Sequence, residues 1–161
     1  ISSGNWRGYV ATFALENAQL MLKKIETLGC GDREGGDIVP TLFDGKKEVF
    51  VDWFSGILVV PIGERVHYVH LGYGSLYSEC LLFRIEAGRI IDETRMNAEQ
   101  YDAYRQRQFE AHKQTSRYVQ DMAEFMKDGQ EDQDYADSFL YSVDTEYTTE
   151  IMLPFKAIPA P

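Results

Sequence analysis

Residues 49–78 constrain the fold of this chain more than any other stretch. They combine dense apolar and aromatic side chains with closely spaced glycines, and they carry no cofactor or nucleophile motif. At the start of the stretch, Val49, Val51 and Trp53 alternate with their neighbours at the period of two that is typical of a strand. We therefore predict a strand over residues 49–54, with a largely buried Trp53 packed against the helical cover of a sheet.

The rest of the central stretch predicts a hairpin. Gly56 interrupts the first strand and indicates a bend, after which residues 57–62 resume it. Pro61 cannot donate to a ladder, so it favours an edge position or the end of a strand. Gly63-Glu64 fits a two-residue turn, with residues 65–71 as the returning strand.

Two further hairpins flank this stretch and bring the number of strands to about six. Most of these strands are sequential neighbours joined by short turns, which predicts an antiparallel meander. The strands of the two hairpins, with their turns, are residues 6–15 and 20–25 around 16–19, and residues 79–85 and 89–93 around Ala87-Gly88.

The hydrophobic period changes from two to between three and four after residue 96. Asn97 followed by Gln100 is a capping-box pattern, and it predicts a helix start. One helix over residues 98–127 is the simplest interpretation. Its apolar stripe fails between 105 and 117, so a second interpretation is two helices that break near Thr115-Ser116, where either residue can act as the cap.

The end of the chain is acidic and then apolar. Residues 129–137 predict an acidic loop, residues 138–154 a late strand, and the remainder an extended Pro-rich tail. The whole chain therefore predicts one α+β domain over residues 1–161, with a bent or partly closed antiparallel sheet covered on one face by one or two helices. Its regions are 1–95, mainly antiparallel β; 97–128, helical; and 129–161, the acidic loop, late strand and tail.

The net charge of −10 is concentrated in one segment. Residues 1–90 carry 9 basic and 11 acidic side chains, whereas residues 121–150 carry 10 acidic side chains against Lys127 alone. Direct binding to nucleic acid or to an anionic membrane needs a cationic footprint, so this distribution argues against both. No apolar run approaches the roughly 20 residues that span a bilayer.

Residue types that hold metals and cofactors are sparse. Cys30 and Cys80 are interpreted as free thiols of a cytoplasmic protein, since two cysteines do not make a disulfide scaffold. His67 and His70 are three residues apart on a predicted strand, which directs them to opposite faces. We therefore predict no metal site, no cofactor and no catalytic residue.

Three short blocks resemble a group of small uncharacterised bacterial proteins. The blocks are Trp6-Arg7-Gly8-Tyr9, Asp52-Trp53-Phe54-Ser55-Gly56, and Tyr68-Val69-His70 with Gly72-Tyr73-Gly74-Ser75. The resemblance covers residues 6–91. Such proteins are similar in size and style to the immunity proteins encoded beside bacterial toxins, which implies a non-catalytic protein that occludes a toxin.

The acidic segment supports the same class of function. A toxin or nuclease that acts on polyanions presents basic residues, and an acidic surface speeds the encounter with such a partner. Tyrosines among the acids can anchor the contact, as aromatic residues do at interface hot spots. The predicted partner-binding residues are Asp132, Asp134, Tyr135, Asp137 and Tyr141.

The alternative is a small enzyme or a small-molecule-binding domain with a pocket on the concave side of the sheet. Such a pocket would have aromatic walls, one cation, one carboxylate and an imidazole. Asp52 lies in an apolar run, so we also expect it to be partly buried and ion-paired, with Arg7 or Arg65. The predicted pocket residues are Trp6, Arg7, Asp52, Trp53, His70 and Tyr73.

Overall fold

The predicted α+β class is confirmed. The computed structural model describes residues 8–27, 36–67, 76–127, 132–143 and 151–155. Six strands form one antiparallel sheet in the order β1-β2-β6-β5-β4, with β3 paired to β2. The elements are β1 Tyr9–Glu16, β2 Gln19–Thr27, α1 Val39–Leu42, β3 Val49–Phe50, β4 Gly56–His67, β5 Leu76–Glu86, β6 Arg89–Asn97, α2 Ala98–His112, α3 Ser116–Lys127 and α4 Gln133–Val143.

Contacts group the chain into two compact units, and each is described separately. Unit 1 comprises residues 1–54 and 86–90, and unit 2 comprises residues 55–85 and 91–161.

Unit 1 is built on the β1–β2 hairpin, which the alternation of the first strands predicted. Asn17 and Ala18 both have positive φ, 51° and 58°. Positive φ at both central residues is the geometry of the tight hairpin turn whose twist matches its strands. Buried aliphatic side chains from β2, α1 and the segment around β3 form the core of this unit, namely Leu20, Leu22, Val39, Val49 and Val51.

The predicted strand over residues 49–54 and the predicted burial of Trp53 are both wrong. The strand ends at Phe50, and the Phe54 amide donates to the Val51 carbonyl at 3.2 Å, which closes a turn through Asp52 and Trp53. Val51 is buried, whereas Trp53 is 59% exposed and Asp52 is exposed. Both predictions fail because the turn directs the side chains of Asp52 and Trp53 outward. Since Asp52 is exposed, it also does not need the ion pair that was expected for a buried carboxylate.

The predicted turn at Ala87-Gly88 is confirmed between β5 and β6. Both residues have positive φ, and the Gly88 amide donates to the Phe54 carbonyl at 2.8 Å. A Cβ on Gly88 would lie 2.5 Å from the Val51 carbonyl oxygen, which is a backbone atom that cannot rotate away. Glycine is therefore required here by its backbone angle and by a close approach.

The predicted hairpin at Gly63-Glu64 is wrong, and so is the returning strand over residues 65–67; residues 68–71 of that prediction lie outside the described residues. β4 continues from Gly63 to His67 as a single strand paired with β5, and the register shifts between Ile62 and Arg65. Gly63 has φ +74°, and the Glu64 amide donates to the Ser78 hydroxyl of β5 at 3.0 Å. A positive-φ glycine thus forms a bulge instead of a turn. β4 ends the strand order, as Pro61 predicted.

The core of unit 2 lies between the β4–β5–β6 strands and α2. Leu82 on β5 is completely buried. Tyr104 on α2 is buried beside it, and its hydroxyl donates to the Leu153 carbonyl at 3.1 Å. Burial raises the pKa of Tyr104 above its usual range. The cluster contains Ile57, Cys80, Leu82, Met96, Tyr104 and Phe155.

The capping box and the helix break near Thr115-Ser116 are both confirmed. The Gln100 amide donates to the Asn97 side chain at 2.9 Å, and the Asn97 amide donates to the Gln100 side chain at 3.1 Å. α2 ends at His112, and the Tyr118 amide donates to the Thr115 hydroxyl at 3.1 Å. Thr115 therefore caps α3.

The predicted acidic loop over 129–137 and strand over 138–154 are wrong where the structure describes them. Asp132 accepts hydrogen bonds from the amides of Asp134 and Tyr135, at 3.0 and 3.2 Å, and so caps a helix. Ala136 and Leu140, one helical turn apart, are the buried side chains of that helix. The cap and this spacing favour a helix, whereas the alternation of Phe139 and Tyr141 is also compatible with the strand predicted there. Residues 151–155 form no strand.

Candidate functional site

The five predicted partner-binding residues all belong to α4 or to its cap. Asp132, Asp134 and Tyr135 are exposed in the first turn, and Tyr135 is 54% exposed. Asp137 and Tyr141 are half-buried one helical turn apart, on the side of α4 that faces α2. The structure therefore divides the predicted set into two groups.

Aromatic contacts join α4 to α2. The rings of Tyr141 and Phe109 meet edge to face, with centroids 5.2 Å apart. Arg105 of α2 donates to the Tyr141 carbonyl at 3.2 Å, and its guanidinium lies 4.7 Å from the Tyr141 ring centroid. These contacts fix the position of the Tyr141 ring.

Asp137 is held by a tyrosine from α3. The Tyr118 hydroxyl donates to Asp137 Oδ1. The Tyr118 ring also packs edge to face on Phe109, at a centroid distance of 6.0 Å. Burial first, and the Asp137 hydrogen bond second, raise the pKa of Tyr118 to about 12.

The raised pKa of Tyr118 predicts a dependence of stability on alkaline pH. The folded state favours the protonated phenol, so the stabilisation is complete below the ordinary tyrosine pKa of 10 and is lost as the pH rises through about 12. We expect the free energy of unfolding of wild-type protein to fall more steeply over this interval than that of Tyr118→Phe. Denaturant titrations at a series of alkaline pH values measure the two slopes, and equal slopes would contradict the prediction.

A surface cleft of about 350 Å³ lies between α2 and α4. Three of its seven lining residues are carboxylates, and none of the seven is Lys or Arg. Phe109 and Tyr141 give it an aromatic wall, and Gln106 and Ser138 supply neutral hydrogen-bonding groups. The lining residues are Asp102, Gln106, Phe109, Glu110, Asp137, Ser138 and Tyr141.

Two cations among the described residues border the cleft, Arg105 against the Tyr141 ring and Lys113 against the Phe109 ring. Lys113 pairs with Glu110 at 2.7 Å, and its ammonium lies 5.3 Å from the Phe109 ring centroid. This contact shows that the wall accepts a cation through a carboxylate and an aromatic ring together. The arrangement suits a Lys or Arg side chain, whereas it offers an anion no positively charged lining residue.

Tyr135 belongs to a second surface, which lies on α3 and α4. The Phe125 ring lies 6.0 Å from the Tyr135 ring and 5.1 Å from the Phe139 ring, centroid to centroid. Val119 is 63% exposed, and no residue of α3 is buried. This face is apolar and is bordered by Asp132 and Asp134 at the start of α4. Asp132, Asp134 and Tyr135 therefore lie beside an apolar patch and not in the cleft.

Sequence reasoning missed the α2 wall of the cleft. Asp102 and Gln106 are four residues apart, and Phe109 and Glu110 follow Gln106 by three and four residues, which places all four on one helical stripe. That spacing is visible in the sequence. The sequence did not indicate that this stripe forms the wall of a cleft, because the segment that forms the opposite wall was predicted to be a strand.

The predicted pocket residues are only partly described. Asp52 and Trp53 lie in the turn after β3, and Trp53 stacks on Phe43 with centroids 6.0 Å apart and planes within 7°. The other four predicted pocket residues lie outside the described residues, and these are Trp6, Arg7, His70 and Tyr73. The pocket remains a prediction.

Metal-ligating residues do not cluster in the part of the chain that the structure describes. No group of three or more His, Cys, Asp or Glu side chains there is arranged to hold a metal ion. Cys80 is buried, and its thiol lies 3.8 Å from the Met96 carbonyl oxygen. His70 and Cys30 lie outside the described residues.

No protein-family model, curated protein or solved structure matched this chain. Among the described residues, no helix combines the length and apolar character needed to cross a bilayer.

Proposed function

We propose that this chain is a non-catalytic binding protein that captures a basic surface of a protein partner, with a Lys or Arg side chain of the partner entering the α2–α4 cleft. The observation that carries the proposal is the composition of the cleft. Three carboxylates and two aromatic rings converge there, and none of the seven lining residues is a cation. A desolvated cation in such a site gains charge-assisted hydrogen bonds and a cation–π contact.

The charge distribution supports a basic partner. Residues 121–150 have a balance of −9, from ten acidic side chains and Lys127. A concentrated field of one sign accelerates association with a surface of the opposite sign and discriminates against acidic partners. The cleft contributes Asp137 to this charge, and the start of α4 contributes Asp132 and Asp134, so both surfaces of α4 add to the attraction of a basic partner.

A toxin domain that acts on polyanions fits this surface best. Such an enzyme concentrates Lys and Arg around its substrate site, and a protein that covers them blocks the substrate. The function proposed here is therefore that of an immunity protein acting in the cytoplasm, where it occludes a basic toxin or nuclease.

The proposal is tested by comparative affinity purification from the native host followed by binding kinetics. The cleft variant is Asp102→Asn/Glu110→Gln/Asp137→Asn. Its control, Glu64→Gln/Glu86→Gln/Glu93→Gln, removes the same charge from exposed positions outside the cleft. We expect the cleft variant to raise the dissociation constant for the co-purified partner by about tenfold or more. The control should retain most of the affinity.

A second measurement distinguishes long-range electrostatic attraction, which affects the association rate, from direct contacts, which affect the dissociation rate. Replacing Asp132, Asp134 and Asp137 by Asn should slow association, and added salt should do the same, since the Debye length is only about 8 Å near physiological ionic strength. Replacing Tyr135 or Tyr141 by Ala should instead speed dissociation. A basic partner that binds the cleft variant and wild-type protein equally well would refute the proposal.

A further inference from the structure

β1 occupies one end of the strand order, and its outer edge has no described partner. Among the described residues, β1 pairs with β2 alone. In an antiparallel pair, alternate residues direct their amide and carbonyl groups away from the neighbouring strand. These groups form a template for a further strand.

The two ends of the sheet differ in how they oppose such pairing. β4, at the other end, contains Pro61, the bulge at Gly63-Glu64 and the charged Arg65. Proline, bulges and charges are the features by which edge strands avoid pairing with other chains. β1 contains no Pro, Lys or Arg, and its only charged residue is Glu16 at its last position.

β1 also exposes apolar side chains along its length. Tyr9, Val10 and Phe13 are 43%, 52% and 50% exposed. The register shift between β1 and β2 leaves its extra residue, Lys23, on β2, so β1 itself carries no inserted residue. The strand therefore offers a regular, neutral and partly apolar edge.

We propose that β1 pairs antiparallel with β1 of a second copy of this chain and so forms a symmetric dimer. Directly opposite residues of an antiparallel pair lie on the same face of the sheet, so the two-fold axis must pass at a residue of β1. With the axis at Thr12, each Thr12 faces Thr12 of the second copy, and Ala11, Val10 and Tyr9 face Phe13, Ala14 and Leu15. Each Glu16 lies at an end of this ladder, so no two charges oppose each other.

Charge favours a second copy as the occupant. Unit 1 has nine acidic and seven basic residues in sequence, a balance of −2 out of −10, so most of the charge that would separate two copies belongs to unit 2. β1 itself presents no charge over residues 9–15, and a basic partner would find no carboxylate there. The two strands are identical and neutral, and they complement each other.

This dimer is independent of the proposed function, and the two can be distinguished by their opposite dependence on salt. Added salt screens the repulsion between two acidic chains, so it should strengthen the dimer, whereas it should weaken capture of a basic partner. The interface is small, and we expect a dissociation constant in the micromolar range.

The experiment is sedimentation equilibrium of the full chain at low and high salt. Wild-type protein should approach twice the chain mass of 18.5 kDa as concentration rises, and should do so more readily at high salt. Thr12→Lys/Phe13→Lys and Thr12→Glu/Phe13→Glu each place like charges directly opposite one another at position 12 and diagonally at position 13, which is unfavourable across strands. Each variant alone should dimerise about tenfold or more weakly.

An equimolar mixture of the two double variants should dimerise again, because each Lys then meets a Glu, directly across at position 12 and diagonally at position 13. This recovery shows that the variants are folded and that the pairing runs through β1. Val66→Lys/Ile91→Lys, which adds the same charge at exposed positions on β4 and β6, should dimerise like wild-type protein. A monomeric wild-type chain at high salt and high concentration would overturn the proposal, as would dimers that persist in both β1 variants or no recovery in the mixture.

Discussion

Leu82→Ala is expected to lower the free energy of unfolding of unit 2 by about 3 kcal/mol or more. Leu82 has no exposed surface, and it lies in a cluster with Ile57, Met96 and Tyr104. Removing its isobutyl group loses the transfer free energy of the buried carbons and leaves a cavity between the sheet and α2, which the surrounding side chains can fill only in part.

Chemical denaturation monitored by circular dichroism measures this effect. Val119→Ala is the control, because Val119 is 63% exposed on α3 and its truncation should change stability by no more than about 0.5 kcal/mol. Similar losses for the two variants would show that β5 does not pack at the centre of unit 2.

Local signals explain most of what the sequence predicted correctly. The β5–β6 turn depends on Ala87 and Gly88, both of which adopt positive φ within the turn. The start of α2 depends on a reciprocal pair of hydrogen bonds between Asn97 and Gln100. Each of these features is decided within four residues, so the chain alone specifies them.

The errors in the central stretch come from sequence features that are compatible with more than one local structure. A glycine at positive φ is needed equally by a hairpin turn and by a bulge, and the hydrogen bond from Glu64 to Ser78 decided for the bulge at Gly63. Ser78 is distant in sequence. The error at Trp53 has the same origin. A large aromatic side chain is suited to burial, but the turn closed by the Phe54 amide directs Trp53 to the surface.

Only one wall of the candidate site was predicted from the sequence, because the other wall depends on contacts between segments that are distant in sequence. Asp137 and Tyr141 were identified from the density of acids and aromatics, which survives an error in secondary structure. Asp102 and Glu110 were not, since their role depends on α4 packing beside α2. The missed signal was the cap at Asp132, which would have predicted a helix in place of a strand.

Gln108→Leu is the second large effect that we expect. Gln108 lies on the buried face of α2, and it is 1% exposed. Its side-chain amide donates to the Ile151 carbonyl, and its side-chain oxygen accepts from the Leu153 amide at 3.0 Å. One side chain thus satisfies two backbone groups of residues 151–155, a segment that forms no strand of its own.

Leucine has a similar volume but cannot hydrogen bond, so the substitution leaves both backbone groups without their partner. Each unsatisfied buried group costs about 1–3 kcal/mol, and we expect a total loss of about 3 kcal/mol in the free energy of unfolding. Gln106→Leu, on the same helix at an exposed position, should be nearly neutral. Denaturant unfolding gives the two values, and hydrogen exchange at the Leu153 amide should accelerate in Gln108→Leu alone. Unchanged exchange there would mean that Gln108 does not anchor this segment to α2.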